Sequence, residues 1–235
     1  MVLKLPYYFF KSLNYLRSDK KIMLFSIIPV LIGFICYYFL GSFLFGELEV
    51  LAKEYVSNYV QVTGWGETIL QWVIGFLIAV FVNFTFFIFV SVIASPFNDL
   101  ISERIEVIYK LDPEGITISQ MIKKIPSTLF NEAKKISLII LISMGNLVIG
   151  IFAPPLAFIL TGLLFAVSFV DYSWSRRELS PKECISEIKQ GFLAYMLGGC
   201  AFMFFISIPI INLFFLPVAV VFFTTLNSEI RIKNA

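Results

Sequence analysis

Four stretches without a single charged residue, 22–46, 68–98, 136–170 and 190–228, leave this chain few ways to fold in water. They run for 25, 31, 35 and 39 residues. A bilayer's hydrocarbon core is crossed by about 20 apolar residues in a helix. Composition agrees: 59% of the 235 residues are hydrophobic, only 14% are charged, and the mean hydropathy is +0.88. Soluble domains average about 25% charged residues. The 27 phenylalanines suit lipid-facing or intramembrane packing. The chain reads as an all-α integral membrane protein.

The stretches differ in kind. Residues 22–46 form the first expected transmembrane helix, capped by Ser18 or Asp19 and kinked by Pro29; they are too long for a cleaved signal segment. Residues 68–95 form the second. There Ser95-Pro96 suggests that one helix stops and another starts, since serine caps and proline suits the first helical position. The restarted helix is amphipathic, with Phe97, Leu100, Ile101, Ile105 and Ile108 on one face. Residues 96–135 thus read as cytoplasmic or interfacial helices, interrupted by the Asp112-Pro113-Glu114-Gly115 turn. Met1 to Lys21, basic and rich in Tyr and Phe, suits a helix at headgroup level.

The last two stretches are each divided by prolines. Ala153-Pro154-Pro155 splits 136–170 into arms of 17 and 15 residues, which reach roughly 25 and 22 Å. That is short of a core of roughly 30 Å. Such arms suggest a helical hairpin that enters the membrane and turns back, with two thin full spans as the rival. Residues 191–227 repeat the plan, turning near Ile208-Pro209-Ile210-Ile211-Asn212. Between the hairpins, Ser180-Pro181-Lys182-Glu183 is a capping box that opens a surface helix over 180–190. The whole, 1–235, reads as a single membrane domain.

Charge sets the orientation. Seventeen of the 18 basic residues fall in 1–21, 95–135, 171–190 and the C-terminus; only Lys53 lies elsewhere. Two spans followed by two hairpins put all seventeen on one face, and the positive-inside rule makes that face cytoplasmic, with both termini. Crossing and half-inserted hairpins give the same parity.

Chemistry is sparse. Histidine is absent, which removes the commonest general acid–base and most catalytic zinc sites. Cys36, Cys184 and Cys200 are too far apart for metal-ligand spacing. No glycine-rich phosphate loop is present. No catalytic residue, metal, cofactor or nucleic-acid partner is expected. Ser18, Lys20 and Lys21 at the start of the first span could attract an anion, because a helix N-terminus offers free N–H groups and a favourable dipole; the plainer reading is a topogenic basic flank, which nearly every first span carries. Asn98, Asp99, Glu103, Arg104 and Glu106 could line a polar vestibule or serve the helix ends and lysine pairing. Asn83, Thr85, Asn146 and Asn212 are polar at membrane depth, where interhelical hydrogen bonding competes with pore lining. Asn212 best suits a hairpin tip.

Three blocks carry a resemblance. Ala94-Ser95-Pro96-Phe97-Asn98-Asp99-Leu100-Ile101-Ser102-Glu103-Arg104-Ile105-Glu106 resembles a block of the CysZ sulfate permease family, related to the etoposide-induced membrane proteins. Val170-Asp171-Tyr172 looks like a second, and Ile208 to Val220 like the third and most specific. The resemblance covers nearly the whole chain. It implies two long transmembrane helices plus two hemi-penetrating helical hairpins, a dimer or higher homo-oligomer in a bacterial inner membrane, and uptake of sulfate for cysteine synthesis. The family's anion site, just before the first span, carries paired arginines. Their places here hold Met23 and Leu24, and the nearest cations are Lys20 and Lys21. The expected function is a permease for sulfate or a similar small oxyanion; the alternative is a membrane-shaping scaffold of the same fold without transport.

Overall fold

A computed structural model describes residues 2–43, 46, 50, 54, 65–111, 123, 126, 130, 137, 140–177, 179–206, 208 and 211–234. Regular structure among them is helical throughout. A single 3-10 turn, Val2–Lys4, leads into α1 (Leu5–Ser18) and α2 (Lys20–Phe43). Then follow α3 (Trp65–Ile108), α4 (Ile140–Phe152), α5 (Pro154–Arg176), α6 (Pro181–Ile206) and α7 (Ile211–Asn234). Most of the connector from Glu47, the Asp112 turn and most of the surface helix expected over 116–135 lie outside the described residues.

The chain forms two compact units, one of residues 1–29 and 94–235, the other of 30–93. The smaller unit holds the distal part of α2 and the first part of α3. Many of its described apolar side chains, among them Tyr38, Phe39, Trp72 and Phe76, are exposed, while Val90 near the unit's end is buried. In a bilayer that is the expected face, since lipid replaces a packed core.

Local sequence explains the helix ends. Asp19 caps α2, accepting from the N–H groups of Lys21 (3.0 Å) and Ile22 (3.2 Å). Glu183 closes the start of α6 by accepting from both the Ser180 N–H (2.8 Å) and the Ser180 hydroxyl (2.6 Å). At the end of α3, Lys110 takes a left-handed φ of 58°. Leu111 N–H then donates to the Glu106 carbonyl (2.9 Å) and Lys110 N–H to that of Val107 (3.0 Å), a Schellman closure.

One expectation fails. Where Ser95-Pro96 suggested a stop and restart, α3 runs unbroken for 44 residues with Pro96 inside it. Proline removes a single N–H donor, and a helix held by neighbours tolerates that loss.

The larger unit is built on α5, α6 and α7, with α1 packed along α7. Its core is aromatic. Phe169 stacks on Phe223 (centroids 5.9 Å apart), Phe205 stacks on Phe215 (4.6 Å), and Phe202 meets both Phe222 and Phe223. Helices α5 and α6 touch where Gly162 faces Gly199 and Cys200; a methyl on Gly199 would overlap the Gly162 carbonyl. The turn between α4 and α5 is Ala153 alone. Asn146 of α4 clips it, donating to the Ala157 carbonyl (2.9 Å) and the Thr161 hydroxyl (2.6 Å) of α5.

The helices outrun the charge-free arms read from sequence. They measure 23, 26 and 24 residues for α5, α6 and α7, because each continues into its polar end. Among the described residues, Pro154–Arg176, Lys182–Ile206 and Phe214–Asn234 are long and apolar enough to cross a membrane. In α6 the backbone leaves helical geometry at Gly191 (φ −119°, ψ 16°), between the polar start and the apolar remainder.

Candidate functional site

Three helices bring a polar stripe to one place. On α3 it is Asp99, Ser102 and Glu106; on α5, Ser173 and Arg176; on α7, Thr224, Asn227 and Arg231. The spacings of three, four and seven residues put each set on one helical face. Glu106 is the centre. Its Oε1 accepts from Ser173 Oγ (2.6 Å) and Arg231 Nη1 (2.6 Å), and its Oε2 from Arg176 Nη2 (2.7 Å). Arg176 also donates to the Asp99 carboxylate and to Ser102 Oγ (2.9 Å). Thr224 Oγ1 donates to Ser102 (3.1 Å), Asn227 Nδ2 to Ser173 Oγ (3.3 Å), and Tyr195 from α6 to Asn227 Oδ1 (2.8 Å).

The two carboxylates and two guanidiniums cancel. Pairing is a condition of burial, since an isolated charge moved out of water costs several kcal/mol or more. The side chain of Glu106 is only 3% exposed and that of Arg176 only 9%. Helix dipoles sharpen the need. Glu106 sits in the last turn of α3, where an acid is unfavourable; Arg176 and Arg231 sit in the last turns of α5 and α7, where cations are favoured.

Two further pairs flank the cluster. Arg177 meets Glu187 through two bonds (2.6 and 2.7 Å), and the Trp174 indole donates to the same carboxylate (2.7 Å). Lys11 of α1 reaches Glu229 of α7 (2.8 Å), which also accepts from the Tyr109 hydroxyl (2.9 Å). The Lys11 ammonium lies 4.8 Å from the Tyr109 ring centroid. Burial lowers the Lys11 pKa, but the Glu229 bond and the nearby tyrosines outweigh it, and the net shift is upward. Burial and the bond to Glu229 push the Tyr109 pKa up.

The start of α2 is different. Ser18, Lys20 and Lys21 are exposed. Asp19 between them is engaged, accepting from Arg104 Nε (2.9 Å) and pairing with its Nη2 (2.8 Å) besides capping the helix. Burial raises the Asp19 pKa; the Arg104 bond and the N–H groups of Ile22 and Lys21 more than offset this, and the carboxyl titrates below its ordinary value.

Of the polar residues singled out from sequence, Asp99 and Glu106 thus join the central cluster and Arg104 joins Asp19. Asn98 is buried; its Nδ2 faces the Tyr172 hydroxyl at 3.4 Å, and its Oδ1 has no partner among the described residues. Glu103 is buried as well. Asn212 lies apart, buried at the α6–α7 tip, about 18 Å along α7 from Thr224 at 1.5 Å per residue. Sequence reading missed Arg176, Arg231, Ser173 and Asn227. Signals existed: Arg176-Arg177 closes an apolar run, and Thr224, Asn227 and Arg231 interrupt another at helical spacing.

An all-helical bundle with apolar bodies and a charge-paired polar end defines an integral membrane protein. A family model described as sulfate transporter CysZ/etoposide-induced protein 2.4 matches residues 8–217. The chain belongs to that family. Its relatives include proteins named sulfate transporter CysZ. One from Vibrio cholerae serotype O1 is 26% identical over 206 residues, 83% of this chain and 82% of its own. One from Pseudomonas syringae pv. tomato is 24% identical over 222 residues, covering 88% and 87%. Another, from Pseudomonas fluorescens Pf0-1, is 28% identical over 152 residues, 61% of each chain. These relatives are named as transporters and not as enzymes. Thr224, Asn227 and Arg231 lie beyond the residues 8–217 that the family model matches.

Proposed function

We propose that the protein is a bacterial inner-membrane permease for sulfate or a similar small oxyanion, supplying cysteine synthesis. One observation carries this reading beyond the family's name. Polar and charged side chains from α3, α5 and α7 meet inside a bundle whose remaining bulk is apolar, as a solute path requires and a lipid wedge does not. In this reading α2 and α3 cross the membrane fully, and α4–α5 and α6–α7 act as hairpins, with the basic ends and both termini on the cytoplasmic side. The path lies within a homo-oligomer.

Lys20 and Lys21, with Ser18, draw the anion to the start of α2. Asp19 already takes the first N–H groups there, so attraction comes from the exposed ammonium charges and not from a backbone cradle. Lysine supplies charge without the two-pronged fork of arginine, which suits a loose first encounter.

Growth tests this reading. A bacterial strain stripped of its own sulfate uptake, given this protein, should grow on sulfate as sole sulfur source. The unrescued strain should grow only on cysteine. Absence of rescue, with the protein present in the inner membrane, would favour the scaffold.

A further inference from the structure

Donors dominate the surroundings of Glu106. The Arg176 and Arg231 guanidiniums and the Ser173 hydroxyl converge on its carboxylate at 2.6 to 2.7 Å, and the Asn227 amide stands one hydrogen bond further out. A side-chain carboxylate is a tethered oxyanion. Each guanidinium gives it one hydrogen bond, and guanidiniums that hold a carboxylate also hold a free anion of the same chemistry. Nor are the donors used up. Arg176 Nε has no partner among the described residues although its side chain is nine-tenths buried, and neither has Ser228 Oγ, one turn before Arg231. Orphaned buried donors are rare and cost about 1–3 kcal/mol each. An arriving oxyanion is a chemistry that satisfies them.

Exposure gives the site a direction. Arg231 is 19% exposed, against 9% for Arg176 and 3% for Glu106. An anion coming from the polar end meets Arg231 first and Arg176 last.

We propose that Arg231 and Arg176 form an oxyanion subsite in which sulfate, or another tetrahedral dianion, takes the place of the Glu106 carboxylate between the two guanidiniums. The proposal rests on the transport reading above and gives that transport an inner station. Occupancy is brief. The four formal charges already cancel, and the negative C-terminal ends of α3, α5 and α7 converge on the same place. Binding strong enough to enter and weak enough to leave is what conduction demands.

The test is equilibrium binding of radiolabelled sulfate to the full-length protein in nanodiscs, with wild-type sulfate uptake into proteoliposomes measured alongside. Glu106→Gln keeps the side chain's size and removes the competing charge. It should lower the sulfate Kd about tenfold, the worth of one charge-assisted hydrogen bond. Arg231→Lys keeps the positive charge but loses the fork, and should raise Kd by a similar factor. Unchanged affinity in both variants, each shown to be folded at the assay temperature, overturns the subsite. Should Glu106→Gln not fold, Arg231→Lys decides alone. Uptake by the wild type without either affinity shift removes the subsite and leaves the transport reading standing. Affinity shifts without wild-type uptake keep the subsite and remove that reading.

Discussion

The Glu106 cluster and the start of α2 are both rich in charge, yet they handle it in opposite ways. At Glu106 the acids and arginines lie deep, and each has an opposite charge within hydrogen-bond reach. At the start of α2, Lys20 and Lys21 stand exposed, and Asp19 takes Arg104. The physical reason is hydration. A buried ion must find its counterion within the chain, whereas an exposed ammonium is held by water and stays available to an incoming ligand. The buried cluster therefore couples stability to any change, and the exposed one leaves stability almost untouched.

That contrast can be broken most violently at Arg176. Arg176→Met leaves Asp99 without this partner and Glu106 with Arg231 alone, and should cost about 3–5 kcal/mol, as loss of one partner from a buried pair does. Thermal melting in detergent would show it as a large drop, whereas a small one would mean the cluster is more hydrated than its burial implies. Asp19 gives an intermediate effect. Asp19→Ala removes both the cap and the Arg104 pair and should cost about 1–2 kcal/mol. Asp19→Asn keeps a cap and should cost about 1 kcal/mol or less, because Arg104 is a third exposed and solvent screens the pair.

Acid sharpens the same comparison. The Asp19 pKa is lowered in the folded protein, so its contribution is complete above the unfolded value of about 3.9 and is lost as pH falls through the folded one. The melting difference between wild type and Asp19→Asn should stay constant from about pH 8 to pH 5 and shrink only below about pH 4. A difference that already shrinks near neutrality would show that another group titrates in its place. Smallest of all in stability is Lys20→Ala with Lys21→Ala. It should change stability by no more than about 0.5 kcal/mol. Sulfate uptake should nevertheless fall, and unchanged uptake would take the anion site away from the start of α2.

Much of the fold was legible because its signals are local. Charge-free runs named the membrane class, Asp19 and the Ser180–Glu183 box marked helix starts, and Pro154 marked the turn after α4. What failed depended on tertiary support. Pro96 is a breaker in isolation, but α3 passes through it. The hairpin arms looked short because charge was taken as their end, while α5 and α7 carry Arg176 and Arg231 within the helix. The site was half legible for the same reason. Asp99 and Glu106 stand in a polar segment that attracts notice. Their partners come from 70 and 125 residues away for Glu106, a pairing that no local pattern states.

Flux is the most direct test of the whole account. Purified protein in liposomes should take up radiolabelled sulfate above empty vesicles, saturably, with excess selenate blocking it. Folded protein that moves no sulfate above the empty-vesicle rate would contradict the account and leave the family's fold here without transport.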